Sequence, residues 1–387
     1  MLPRSDLPLV SIVSPCLNAV GYVQRAIENV SDQHYPCIEH IIIDGGSTDG
    51  SVAVLQQYPN IRWISEQDSG QANALNKGFR MARGDIIGWL NIDDTYTPDA
   101  INHAVSFLNV HPDCDIVYGD CNILREDGSL LTVFKSRQTQ DYEALLDGVI
   151  HTPAVFWRRR VFDKAGYLNE HLHYVLDNEF WMRAAAVATQ TYIPVILANF
   201  HRRGGSKTEA AEAEFGPEMY HVFQSTFAQE PYQSQIPQEI QKQTLARAAW
   251  HAGVDLTLVN KNERARGYLE EALNKHHILD YPEIVAECVV VRYAQRDVLS
   301  RYETRQLIQQ LPVSSEIKVR VQEMVNTRYA ELRFHAAHNR RDWPEVRKSG
   351  WRVLLRNPQR LFKRGFMSIW MESYLGAQIA QKLRAWI

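Results

Sequence analysis

The residues best placed to do chemistry are two adjacent carboxylates, Asp93 and Asp94, which close the run Gly88-Trp89-Leu90-Asn91-Ile92-Asp93-Asp94. The apolar stretch before them, residues 85–90, reads as a buried strand, and residues 95–98 turn the chain toward a helix. Acidic groups at the carboxyl edge of an α/β sheet stand where such sheets bind ligands. As hard oxygen donors they suit Mg²⁺ or Mn²⁺, ions that bridge protein carboxylates to phosphates. The competing reading has Asp94 capping the helix that begins near Pro98 and Asp93 lining a turn. A second apolar run closes on Asp44-Gly45-Gly46-Ser47-Thr48-Asp49-Gly50, where Asp44 either meets a ligand or braces the turn. Asp68, ahead of Ser69-Gly70, divides between a turn role and ligand contact. Asp177 opens Asp177-Asn178-Glu179-Phe180-Trp181-Met182-Arg183 and, taken alone, reads as a helix cap.

Strands and helices must hold these groups. Strand patterns fall at residues 9–13, 38–43, 61–64 and 85–90, and helical spacing at 22–31, 51–58 and 71–82, the last with Ala72, Leu75, Phe79 and Ala82 on one face. This alternation predicts a mostly parallel sheet flanked by helices. Beyond it the pattern predicts a helix at 100–108, a strand at 115–120, a hairpin over 122–134 around Asp127-Gly128, and a helix at 141–146. A strand at 154–157, helices at 159–165 and 176–188, and a last strand at 191–200 follow, running into His201-Arg202-Arg203. From about residue 215 strand signals vanish. Residues 238–387 show helical periodicity that loosely resembles tetratricopeptide units without a clean repeat. The expected domains are therefore 1–225, an α/β unit, and 226–387, a helical accessory unit with a basic, amphipathic C-terminus.

A length of 387 residues allows two cores, and 45% hydrophobic with 22% charged residues describes a soluble protein. The net charge of −3 argues against bulk affinity for nucleic acid. Five cysteines without a Cys-x-x-Cys pair point to a reducing compartment and to neither a disulfide framework nor a zinc site. Residues 1–9 do not read as a secretory signal. No apolar run approaches the roughly 20 residues a membrane span needs. The expected location is the cytoplasm.

Four motifs stand in order: Pro15-Cys16-Leu17-Asn18 after the first strand; Asp44 to Gly50; Asn76-Lys77-Gly78 leading to Ala82-Arg83-Gly84-Asp85; and Asn91-Ile92-Asp93-Asp94. Together they resemble glycosyltransferase family 2, the inverting group with the GT-A fold, over about residues 7–207. The resemblance implies transfer of a single sugar from a nucleoside-diphosphate donor, UDP-linked by expectation, to a glycan or lipid-linked acceptor in surface polysaccharide assembly. It makes Asp177 the catalytic base and Asp93 the metal ligand. Pro15, Asn18, Asp44, Gly45, Asp68, Asn91 and Asp94 become nucleotide-sugar contacts. His201 is either a second metal or diphosphate ligand or a surface-loop residue, and Arg202, Arg203 and Lys207 either embrace phosphate or stay solvated. His151-Thr152-Pro153 falls on the acceptor side, and Glu179 supports its helix or an arginine. Two departures stand out. Many members carry paired aspartates where this chain has Asp44-Gly45, and the metal motif is often Asp-x-Asp where this chain begins with Asn91. The Gln-x-x-Arg-Trp motif of processive synthases does not occur.

The chemistry is coherent without the family. Loss of a diphosphate needs its charge offset, which a divalent ion on Asp93 provides. A poor hydroxyl nucleophile needs a carboxylate to take its proton. Two rival functions are a sugar-nucleotide pyrophosphorylase, which needs an Arg-Lys-bearing glycine-rich loop after the first strand, and an inactive protein that recruits partners through its helical half. Residues 340–364 hold nine Lys or Arg against two acids and precede Phe366-Met367-Ser368-Ile369-Trp370-Met371 and an apolar ladder through Met371, Leu375, Ile379 and Leu383. That segment either lies on an anionic membrane at the inner face or packs on its own domain.

Overall fold

A computed structural model describes residues 7–138, 150–203, 212–290 and 300–356, together with Phe366, Ile369, Trp370, Ser373 and Tyr374. The expected helix at 141–146, Lys207, and Met371, Leu375, Ile379 and Leu383 of the C-terminal ladder lie outside the described residues. The chain divides into two compact units, Met1–Ala211 with Ser225–Ile240, and Glu212–Gln224 with Gln241–Ile387.

The first unit is organised on one sheet of β1 (Val10–Cys16), β2 (Ile38–Asp44), β3 (Arg62–Ser65), β4 (Ile86–Trp89), β5 (Thr95–Tyr96), β6 (Ile116–Leu124), β7 (Leu130–Phe134), β8 (Val155–Arg158) and β9 (Gln190–His201). The order is β3-β2-β1-β4-β8-β6-β9-β5, with β7 added to β6. β1 pairs parallel with β2 and β4, and β2 with β3. β8 enters antiparallel between β4 and β6, β6 runs parallel to β9, and β5 and β7 are antiparallel additions. The mixed character sits entirely on the β8–β5 side. The sheet order reverses direction at β1, between β2 and β4, so a crevice opens at the carboxyl ends of these strands.

Successive residues of a strand face opposite sides, and β1 shows it. Val13 packs with Ala72, Leu75 and Phe79 of α3 (Gln71–Met81) and with Trp157, Phe180 and Trp181. Ile12 packs with Ile101, Ala104 and Leu108 of α4 (Ala100–Val110) on the other face. Helix α1 (Val20–Ser31) and the short α2 (Ser51–Leu55) cover Cys16 and Ile42. α5 (Arg160–Ala165) and α6 (Leu176–Val187) complete the α3 side.

The Asn76-Lys77-Gly78 motif acts in packing. A Cβ at Gly78 would collide with Val13, so glycine lets α3 lie close on the sheet. Buried Asn76 donates to Leu168 O (2.9 Å) and Glu170 Oε1 (2.8 Å) and accepts from Leu168 N (3.0 Å), anchoring the segment that leads into α6.

The second unit is helical. Its helices include α7 (Glu212–Phe227), which continues past the unit boundary, and α9 (Gln238–Leu258), which begins before it; α8 (Tyr232–Gln235) belongs to the first unit. α10 (Asn262–Glu270), α11 (Pro282–Val290), α12 (Arg301–Gln310), α13 (Ser315–Asn339) and α14 (Trp343–Arg356) follow. α12 opens on a capping box in which Ser300 and Glu303 satisfy each other's backbone N–H groups. α13 and α14 share a core of Phe334, Ala337, Val346 and Val353, closed by Phe366.

Candidate functional site

Three loops leave the carboxyl edge around the β1 crevice. The first two are tied together. Gly45 N donates to Cys16 O at 2.8 Å, Asn18 N to Ser47 Oγ at 2.7 Å, and Thr48 N to Asn18 Oδ1 at 2.9 Å. Asn18 takes a positive φ of 46° to make both bonds. Pro15 lies one residue before the end of β1, paired with Ile43. Asp49, which the sequence reading left aside, accepts from Val20 N and from both the amide and hydroxyl of Ser51, so it begins α1 and α2 together. The Asp-x-Ser spacing before a helical run is the signal that would have found it.

Asp44 is fully buried and accepts from Gly46 N (3.1 Å), Ser47 N (2.9 Å), the Ser47 hydroxyl and Ser65 Oγ (2.7 Å). Burial alone would raise its pKa, and the bonds from Ser47, Ser65 and the two amides more than offset that, holding it below the ordinary value. Four donors meet the capacity of one carboxylate, so Asp44 braces its turn. Asp68 is the acid turned toward the glycines. A Cβ at position 45 would collide with its Oδ2, while Oδ1 accepts from Gly70 N at 2.9 Å.

The third loop follows β4. Asn91 Oδ1 accepts from Trp89 Nε1 (2.9 Å) and Gln71 Nε2 (3.1 Å), and its amide nitrogen donates to Asp94 Oδ2 (3.3 Å). Asparagine suits this place because one end must accept N–H groups and the other must donate to a carboxylate; aspartate would set a second charge beside buried Asp94. Asp94 also accepts from His201 N at 3.1 Å, so it joins two loops and does not cap the next helix, whose N-cap residue is Asp99. Burial, with the charge of Asp93, pushes the Asp94 carboxyl well above the usual carboxylate range.

Asp93 is half-buried and is held by two arginines. Arg203 Nε donates to its Oδ2 (2.7 Å), and Arg25 donates to its backbone oxygen (2.7 Å). Both guanidinium groups lie against the Tyr22 ring, at 4.6 Å for Arg203 and 5.4 Å for Arg25. Arg25 and Tyr22 escaped the sequence reading; their i, i+3 spacing on α1 is ordinary, and only the fold reveals that this face meets the β4 loop. His201 ends β9, its Nε2 3.2 Å from Thr95 Oγ1. Burial first, then the charge of Arg25, lower its pKa, so its imidazole is neutral and fit to ligate a cation.

Asp177 lies in the first turn of α6, whose N-cap position is Val175, so it is not the cap. It accepts from Thr152 Oγ1 (2.8 Å) and Asn178 N (2.9 Å), and Thr152 in turn accepts from Trp181 Nε1 (3.2 Å). The turn Thr152–Ala154 leads into β8, which runs antiparallel to β4, and it contacts β4, β5 and β9. The antiparallel entry of β8 thus brings Thr152, and Asp177 with it, to the edge where β4 exits toward Asp93. His151 packs its ring on Phe134 and Phe200. Glu179 pairs with Arg183, which also donates to Ala165 O and Tyr167 O.

Among the described residues no three His, Cys, Asp or Glu side chains converge as a cage for a metal ion. The donor set of Asp93 and neutral His201 nevertheless fits a divalent cation that takes its remaining ligands from phosphate oxygens.

A model of glycosyl transferase family 2 matches residues 11–166. An uncharacterized glycosyltransferase of Rickettsia prowazekii is 30% identical over 213 residues, covering 53% of this chain and 67% of that protein. A PGL/p-HBAD biosynthesis glycosyltransferase of Mycobacterium tuberculosis is 29% identical, covering 54% of this chain and 82% of that protein. The chain spans only about a third of the length of three further uncharacterized glycosyltransferases from Rickettsia species. Among solved structures, a mannosyltransferase from Pyrobaculum calidifontis in complex with GDP-Man and Mn²⁺ superposes with a TM-score of 0.50 at 15% identity, covering 82% of this chain and 87% of that one. The likeness establishes the GT-A fold.

Proposed function

The chain belongs to glycosyltransferase family 2, and from that premise we propose that it transfers one sugar from a nucleoside-diphosphate donor to a glycan or lipid-linked acceptor with inversion at the anomeric carbon. The observation that carries this reading is the gathering of Asp93, Asp94 and His201, the Asp68-Gly45 turn, and Thr152-held Asp177 along one sheet edge.

The nucleoside lies over the Gly45 turn, with Asp68 supplying the carboxylate for hydroxyl or base N–H groups; Asp44 and Asn18 keep that turn in shape. Asp93, helped by His201, would hold a Mn²⁺ or Mg²⁺ ion, whose charge stabilises the departing diphosphate. Asp94 and Asn91 position this loop from behind. Arg203 and Arg25 turn their guanidinium groups to phosphate oxygens. Asp177, fixed by Thr152, takes the proton of the acceptor hydroxyl as that oxygen attacks opposite the diphosphate. The mannosyltransferase of the same fold was solved with a nucleotide sugar and Mn²⁺, ligands of the kind assigned here.

The two-unit division supports a helical accessory unit, five cysteines outside any disulfide suit a cytoplasmic enzyme, and a peripheral seat on the membrane suits a lipid-linked acceptor. Among the described residues no helix is long and apolar enough to cross a membrane. The test is calorimetry with UDP, GDP and their sugar conjugates with and without Mn²⁺. The donor that binds is then used to follow nucleoside-diphosphate release and the anomeric configuration of the product. Binding of no nucleotide in either condition would overturn the reading.

A further inference from the structure

The C-terminal basic region left two readings open, and the structure divides it between them. Phe366 is buried and stacks on Phe334 of α13, with centroids 4.4 Å apart, so the start of the aromatic segment is core. The face that stays in solvent is on α14. That helix buries Val346, Ser349, Gly350 and Val353 against its neighbours. On its opposite side Lys348, Trp351, Arg352 and Leu355 are exposed at i, i+3, i+4 and i+7, a single stripe. Trp351 is 53% exposed, and Leu355, at 78%, is the most exposed large apolar side chain among the described residues. Tyr374, 51% exposed, extends the stripe: the Trp351 indole N–H donates to its hydroxyl at 3.1 Å, and Arg347 lies over its ring.

Single exposed apolar side chains are ordinary on a protein surface; here two of them share one stripe with two cations. Residues 340–356 hold six Lys or Arg and two acids, in a chain whose net charge is −3. Tryptophan and tyrosine are the side chains that settle at a membrane surface, an apolar body inward and a polar edge at headgroup level. Flanking cations add attraction to anionic lipid. An anionic bilayer surface needs no broad apolar patch where cations assist a few inserted side chains.

We propose that this face of α14 seats the protein on an anionic lipid surface, with Trp351 and Leu355 entering the acyl boundary and Lys348 and Arg352 among the phosphates. The proposal deepens the peripheral placement suggested above and rests on it for its use, not for its test.

The experiment is co-sedimentation of the full chain with phosphatidylcholine vesicles, with and without a third of phosphatidylglycerol, at low and high salt. It is repeated for Leu355→Glu and for Lys348→Glu/Arg352→Glu. Wild type should pellet with the anionic vesicles, lose that in high salt, and show a blue-shifted tryptophan emission. Each variant should partition on the order of tenfold or more weaker, with unchanged melting temperature, since every substituted side chain is exposed. Equal sedimentation with neutral vesicles, no sedimentation of wild type at low salt, variants that partition like wild type, or a self-association of the chain removed by Leu355→Glu would each overturn it. Nucleotide calorimetry on the same samples keeps the two proposals apart: a chain that binds vesicles and no nucleotide refutes the transferase reading alone, and the reverse refutes this one alone.

Discussion

Arg203 and Asp93 form an ion pair of 2.7 Å at the mouth of the crevice, and the guanidinium that makes it rests on Tyr22. The carboxylate assigned to a divalent ion is thus engaged by a side chain assigned to phosphate. Cation binding must break this pair, and diphosphate offers the arginine a new partner. Arg203→Ala should therefore bind Mn²⁺ roughly fivefold tighter in the absence of nucleotide, the scale of one partly exposed ion pair. It should bind nucleoside diphosphate about tenfold weaker, the scale of one charge-assisted hydrogen bond. Manganese titration followed by electron paramagnetic resonance reads the first and calorimetry the second; weaker Mn²⁺ binding by the variant would contradict the exchange.

Thr152 holds Asp177 and accepts from Trp181 Nε1. Thr152→Val keeps the shape and removes both bonds. Turnover should fall about tenfold with the donor KM unchanged, because Asp177 touches the acceptor and not the nucleotide. Stability should fall by about 1–3 kcal/mol, the cost of a buried indole N–H without an acceptor. A raised donor KM at unchanged turnover would move Thr152 to the donor side.

Buried Asn76 makes three hydrogen bonds, two of them fully buried, and is assigned no ligand contact. Asn76→Ala should destabilise the chain by about 2–4 kcal/mol, seen in chemical denaturation, while the folded fraction binds nucleotide with unaltered affinity. Nucleotide binding lost from a fully folded variant would show that the motif reaches the ligand.

In the helical unit Glu214 accepts from Arg264 (2.8 Å) and Lys261 (2.6 Å), and these bonds lower its pKa to about 2. A carboxylate whose folded pKa is depressed contributes stability that is present above its unfolded value, about 4.3, and lost as pH falls toward the folded one. The wild type should lose helical-unit stability between about pH 4.3 and 2 relative to Glu214→Gln, in acid titrations followed by circular dichroism. Parallel acid profiles would show that the pair is screened by solvent.

Much of this was legible beforehand. The apolar runs ending on Asp44 and near Asp93 belong to strands buried on both faces along most of their length, so they and their acidic ends show in sequence as short continuous apolar stretches. Asp127-Gly128 marks a turn by itself, and Gly128 does take a positive φ of 81°. What escaped depends on distant chain. The two residues of β5 become a strand only because Asn199 and Ala198 arrive opposite them. Asp44 looks like a ligand-facing acid until Ser65, on another strand, is seen donating to it. Asn91 looks like a weakened metal ligand until Trp89 and Gln71 are seen to use its oxygen. Arg25 gave no signal because its partner is a backbone oxygen 68 residues away.

If Asp177 takes the acceptor's proton in a sugar transfer, removing its proton acceptor must slow the chemical step. The comparison is of wild type with Asp177→Asn under single-turnover conditions, using the nucleotide sugar that calorimetry identifies. Asparagine keeps the Thr152 and Asn178 contacts within reach and removes the proton acceptor. The expected rate is lower by on the order of 10²–10⁴, the range for a lost general base, with donor affinity unchanged within about twofold. A variant that turns over at the wild-type rate would show that Asp177 takes no proton in the reaction.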